Sequence, residues 1–135
     1  MTDKLPRPIN IPSMTWFHGT DSHAIQVTVG FIDNKPREIF MRTSVNHDYA
    51  TCDRASLESL ARSISTGLRY GVPIEAYIEQ FQGITCMATF DPTLQRVIKS
   101  PADYLAQILK IVSNPEFNPP QLSGDTSTND TNNNE

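Results

Sequence analysis

Two cysteines, three histidines and seven arginines are among the side chains here whose chemistry could go beyond packing. A thiolate beside a helix end is a common basis for a redox centre or a metal ligand, and Cys86 closes a run reading "FQGITC". Cys52 with His47 could complete such a site. Their separation is not a recurrent ligand spacing, however, and no C-x-x-C pair occurs. Both thiols are therefore expected to be largely buried and to pack as small hydrophobes. His18 and His23 flank a turn-like Gly-Thr-Asp-Ser run and are expected to be exposed. No Gly-rich phosphate loop follows a strand pattern, so no catalytic, cofactor-binding or metal-binding residue is assigned. What remains is a polar group, Arg42, His47 and Arg69, that could face a small, nucleotide-derived ligand or a protein partner.

Such groups need a scaffold, and 135 residues supply one core but not two. The formal charge of −4 is unevenly placed: from Ser113 onward stand Glu116, Asp125, Asp130 and Glu135 with no Lys or Arg. Residues 1–112 then hold 11 charges of each sign, which offers no basic footprint for duplex nucleic acid. No apolar run approaches the ~20 residues that span a bilayer, and the start, "MTDKLPRPINIPSMTWF", does not resemble a signal peptide. A cytoplasmic protein without membrane partners is expected. The closing "QLSGDTSTNDTNNNE" has Leu122 as its one apolar residue and cannot bury enough surface to offset its ordering entropy. The expected division is an N-terminal extension over 1–13, a folded domain over 14–112 and a disordered polar, acidic tail over 113–135.

Within the domain the hydrophobic period changes from two to 3.6. Ile25, Val27, Val29 and Phe31 alternate with Gln26, Thr28 and Gly30, which predicts a half-buried strand over Ala24 to Phe31. Asp33-Asn34-Lys35-Pro36 supplies a turn and "EIFMRT" a return strand, making a hairpin that Met14 to His18 could extend. Leu57, Leu60, Ala61, Ile64 and Leu68 then fall on one helical stripe, with Arg54, Glu58, Arg62, Ser65 and Arg69 on the solvated side. Asp53 is expected to cap this helix and Gly71 to end it. Gly67 inside it costs roughly 1 kcal/mol relative to Ala, which points to close backbone packing there. Pro73 to Phe81, stopped by Gly83, reads as a second helix, and Ser100-Pro101-Ala102-Asp103 opens a third. Ile84 to Phe90 and Arg96 to Ile98 are expected as short strands or extended links. The sum is an α+β fold, a small antiparallel sheet of two to four strands packed against about three helices.

From Trp16 to Leu109 this order resembles the TSCPD domain found near the C-terminus of adenosylcobalamin-dependent (class II) ribonucleotide reductases. The resemblance rests on the hairpin "AIQVTVGFIDNKPREIF", the cysteine-led helix "CDRASLESLARSISTGLRYGVP", the segment "IEAYIEQFQGITC" and the closing "SPADYLAQIL". Three departures limit what it carries over. Where the naming signature sets a cysteine before proline, this chain reads "IKSPAD" with Ser100; "SVNHDYATC" replaces the usual Gly-rich loop; and "NDTNNNE" stands where a relay cysteine pair is common. The resemblance thus implies a free-standing accessory, split-subunit or regulatory module for deoxyribonucleotide synthesis. Its partner would be a reductase catalytic chain, with adenosylcobalamin bound there and no cofactor on this chain. A small-ligand binding module, or a homo-oligomer formed through an exposed hairpin edge, are the alternative expectations.

Overall fold

Alternating side chains along Ala24–Ile32 send one row to each face of a pleated strand, and the β-branched row needs cover. The computed structural model describes residues 3–19, 24–44, 50–86 and 88–122. There the run forms β2 (Ala24–Ile32), the middle strand of an antiparallel sheet between β1 (Ser13–Gly19) and β3 (Lys35–Ser44). Asp33 and Asn34 join β2 to β3 with φ of 53° and 66°, the left-handed pair that a two-residue type I′ turn requires. The register shifts between Gly30 and Phe31, so Pro36 sits at an irregularity where a sheet tolerates a residue without an N–H. Val27, Val29, Phe31, Ile39 and Met41 line the buried face.

α1 (Ala50–Arg69) packs along β3 and lays Ala61, Ile64 and Leu68 into the core. It begins four residues earlier than the sequence suggests, so Asp53 lies in the first turn rather than at the cap, where its charge still suits the helix dipole. Ser65, assigned above to the solvated stripe, instead meets the edge of β3. Its Oγ accepts the Ile39 N–H at 2.8 Å and lies 3.0 Å from the Ile39 carbonyl and 2.9 Å from that of Ala61, one of which takes its proton. Arg37 of β3 donates in turn to the Leu68 carbonyl at 2.9 Å. With β1 on the far side of β2, the hairpin expected to expose an edge has β2 paired on both sides and β3 sealed at Ile39.

α2 (Ile74–Phe81) follows a link in which Gly71 has a φ of 97°, and Pro73 is its N-cap rather than its first residue. Gly67 makes room for the Tyr77 hydroxyl in this corner, which a Cβ there would displace, so the close contact is with a side chain rather than with backbone. Gly83, at a φ of 85°, stops α2 as expected. Beyond it Thr89–Asp91 (β4) pairs antiparallel with Arg96–Ile98 (β5), while Ile84 to Cys86 forms no strand and reaches this region through the Cys86 N–H, which donates to the Lys99 carbonyl. α3 (Pro101–Ser113) opens on Ser100, whose Oγ accepts the Asp103 N–H at 2.9 Å, and is buried along Tyr104, Leu105, Ala106, Ile108, Leu109 and Val112. It is the central helix of the core.

Both chain ends reach across this core. In the N-terminal segment the Leu5 N–H donates to the Arg69 carbonyl at 2.8 Å while the Arg69 guanidinium donates back to the Leu5 carbonyl at 2.9 and 3.1 Å. Arg7 then pairs with Glu38 at 2.6 Å, and Ile11 lies over Gly30, where a Cβ would strike it. Residues 5–12 are thus a strap over one half of the outer face of the sheet. At the other end Phe117, past the boundary drawn at Ser113, stacks on Phe31 with ring centres 5.8 Å apart and meets Trp16 at a tilt with centres 6.4 Å apart.

Candidate functional site

Three polar groupings stand out, and burial separates them. In the first, His18 is 4% exposed, which corrects the expectation that it faces solvent. As the sixth residue of β1 it falls on the inner face, opposite Ile25, where the second sheet covers it. Its Nδ1 lies 2.8 Å from Asp91 Oδ2 and its Nε2 2.6 Å from Thr89 Oγ1, so the ring bridges β1 to β4. Asp91 Oδ1 also accepts the Leu94 N–H at 2.8 Å and holds the β4–β5 turn. Tyr104 of α3 packs 5.5 Å from the imidazole, and burial, with the Asp91 charge adding to it, pushes its phenol well above the ordinary tyrosine range. An acid, a base and a phenol in this order resemble a proton relay, yet no substrate reaches a pair whose side chains are 4% and 3% exposed. The cluster is a clamp between two sheets and a helix.

The second grouping is Asp103, 2% exposed and held by backbone donors: Gly83 N–H at 2.8 Å on one oxygen and Lys99 N–H at 3.0 Å on the other. It ties the end of α2 to the start of α3. A buried carboxylate with a backbone donor on each oxygen is satisfied by the fold, and its burial keeps a ligand from reaching it.

The third is open. Across the sheet Phe17, Gln26 and Arg42 lie in one row on the outer face, set by the registers Phe17↔Gln26 and Gln26↔Arg42. Beyond the strap these residues, with Ala24, Thr43 and Arg54 from the second turn of α1, line a depression of about 280 Å³. Phe17 is 61% exposed beside it, and Phe40 in the next row is 54% exposed.

The sequence-derived trio is thus divided. Arg42 lines the depression. Arg69 lies at the far end of α1, 15 residues from Arg54 and so ~22 Å away along the axis, fastened to the strap. His47 lies outside the described residues, as does His23. Arg54 is the residue that joins Arg42; its helical phase alone marked it as solvated, and only the strand register and the packing of α1 on β3 bring the two together. Both cysteines are exposed, which overturns their assignment as buried packing residues. Cys52 falls on the solvent side of α1, out of phase with Ala61, Ile64 and Leu68, and Cys86 sits in the link where no regular strand forms. Among the described residues no three His, Cys, Asp or Glu side chains come together as a metal site, and no helix is long and apolar enough to cross a membrane.

A three-stranded antiparallel sheet backed by a buried C-terminal helix, sealed on one edge by a long helix and clamped to a second small sheet, defines a compact α+β domain. The chain belongs to the TSCPD domain family, whose model matches residues 5–113. That family is associated with ribonucleotide reductases. No curated protein and no solved structure gives a significant match to the chain.

Proposed function

We propose that this chain is an accessory or regulatory module of an adenosylcobalamin-dependent ribonucleotide reductase, docking on the catalytic chain in the cytoplasm and leaving the chemistry there. The observation that carries this reading is the family match over residues 5–113, which spans every element from β1 to α3. The inventory of reactive groups supports the division of labour. Radical reduction of a ribonucleotide needs a thiyl-forming cysteine, a reducing cysteine pair and a cobalamin pocket shielded from water. This chain has two cysteines, both exposed, and Ser100 at the signature position is engaged as a helix cap. Adenosylcobalamin as a whole is several times larger than the depression of about 280 Å³, so the described residues do not fit the cofactor and no step is derived through it.

The test combines the purified chain with the reductase catalytic chain of the same organism, adenosylcobalamin, a dithiol and ribonucleotide. Co-elution on gel filtration and a changed rate of deoxynucleotide formation are expected, with no product from this chain alone. Separate elution at micromolar concentrations and an unchanged rate would overturn the reading. Product from this chain alone, abolished by Cys52→Ser or Cys86→Ser, would make it an enzyme instead.

A further inference from the structure

Five of the seven arginines are committed to acceptors within the fold: Arg7 to Glu38, Arg37 to the Leu68 carbonyl, Arg62 to Glu58, Arg69 to the Leu5 carbonyl and Arg96 to Gln107. The two left over share one place. Neither Arg42 nor Arg54 has a hydrogen-bond or ion-pair partner among the described residues, and both line the depression at the sheet, with no carboxylate among the described residues of its wall. Two like charges converging on one hollow repel each other unless an anion sits between them, and a guanidinium fork matches phosphoryl oxygens better than it matches water. The remaining wall is not an anion site. Phe17 offers an exposed aromatic face one strand from Gln26 and two from Arg42, and Gln26 adds an amide that can donate or accept. The strap covers the row of Gly30 and Glu38 but leaves this row open.

We propose that this depression binds a phosphate ester carrying a planar ring, its phosphoryl oxygens on the Arg42 and Arg54 guanidiniums and its ring against Phe17. Gln26, between the two, meets the polar atoms that link ring to phosphate. The chemistry of the wall favours both ends of such a molecule at once: a bare polyanion leaves Phe17 unused, and an uncharged ring leaves the arginines unneutralised. The proposal is independent of the reductase reading, since it concerns only side chains of this chain.

Calorimetric titration of the full chain at low salt with three probes tests it: ATP, which has both parts, tripolyphosphate, which has only the anion, and adenosine, which has only the ring and sugar. ATP is expected to bind more tightly than either fragment. Arg42→Gln and Arg54→Gln should each weaken ATP by about tenfold or more, the scale of one charge-assisted contact. Phe17→Ala should weaken ATP while leaving tripolyphosphate unchanged. Arg62→Gln, on the solvent side of α1 and outside the depression, serves as the charge control and should change nothing. All four side chains are exposed, so thermal melting of the variants should match the parent and confirm that each folds. The proposal is overturned if ATP fails to bind at millimolar concentration, if Arg62→Gln costs as much as Arg42→Gln, or if tripolyphosphate matches ATP and Phe17→Ala leaves both alone.

Discussion

Exposure, not sequence neighbourhood, decides what the reactive residues do. Cys86 follows an apolar helix and looks like a core residue in one dimension, but Gly83 ends α2 three residues earlier and the chain leaves the core there. Cys86→Ala and Cys52→Ala should therefore each change stability by less than about 0.5 kcal/mol, as substitutions away from packed sites do. Both thiols should react promptly with an aromatic disulfide reagent in the native state; one that reacts only in denaturant would contradict its position. His18 teaches the reverse lesson. Beside a Gly-Thr-Asp-Ser run it reads as a loop residue, whereas strand parity places it with Trp16 on the inner face of β1. Alternation along the strand makes that parity legible in the sequence. Its partner was not, because nothing in a sequence announces that Asp91, 73 residues on, will meet it. Arg42 and Arg54 were both visible as arginines; that they converge follows from tertiary packing alone.

Elements whose periodicity is long and unambiguous were readable at this level: the β2–β3 hairpin, the apolar stripe of α1, the Ser-Pro-x-Asp start of α3 and the glycine stops at Gly71 and Gly83 all agree with the structure. The short pieces were not, since three residues of β4 carry too little pattern to separate a strand from an extended link. Nor does amphipathicity show that one residue of a polar stripe turns back on a sheet edge. Ser65 is that residue, and Ser65→Ala leaves the Ile39 N–H without its acceptor in a partly buried place. A loss of about 1–2 kcal/mol is expected from the unmade hydrogen bond, reduced by the ~0.5 kcal/mol by which alanine is the better helix former. Ser63→Ala, two residues away on the exposed side of α1, should instead be neutral or slightly stabilising. Urea unfolding of the pair distinguishes the two serines, and equal midpoints would show that the edge of β3 needs no seal.

At the scale of the whole molecule the buried phenol of Tyr104 couples stability to pH. Its proton is held in the folded state by burial and the nearby Asp91 charge, so its folded pKa is raised. In the unfolded chain the same phenol ionises near its ordinary value of about 10. Above that pH the unfolded state binds fewer protons than the folded one, and stability falls by up to about 1.4 kcal/mol per pH unit from this residue; below it the contribution is constant. Tyr104→Phe should flatten that alkaline slope of the urea midpoint, and identical slopes in the two proteins would mean that Tyr104 ionises where it stands. The clamp of His18 on Asp91 and the strap from Leu5 to Arg69 also have a bearing on how fast the molecule comes apart. They close separations of 73 and 64 residues, whereas the hairpin and α1 are built from near neighbours. Distant closures cost more chain entropy than local ones, so both fastenings are expected to form late in folding. Loosening the strap, by Arg69→Gln for example, should then raise the unfolding rate in stopped-flow measurements more than it lowers the refolding rate, and the lifetime of the native state would depend on contacts made far from where the chain first folds.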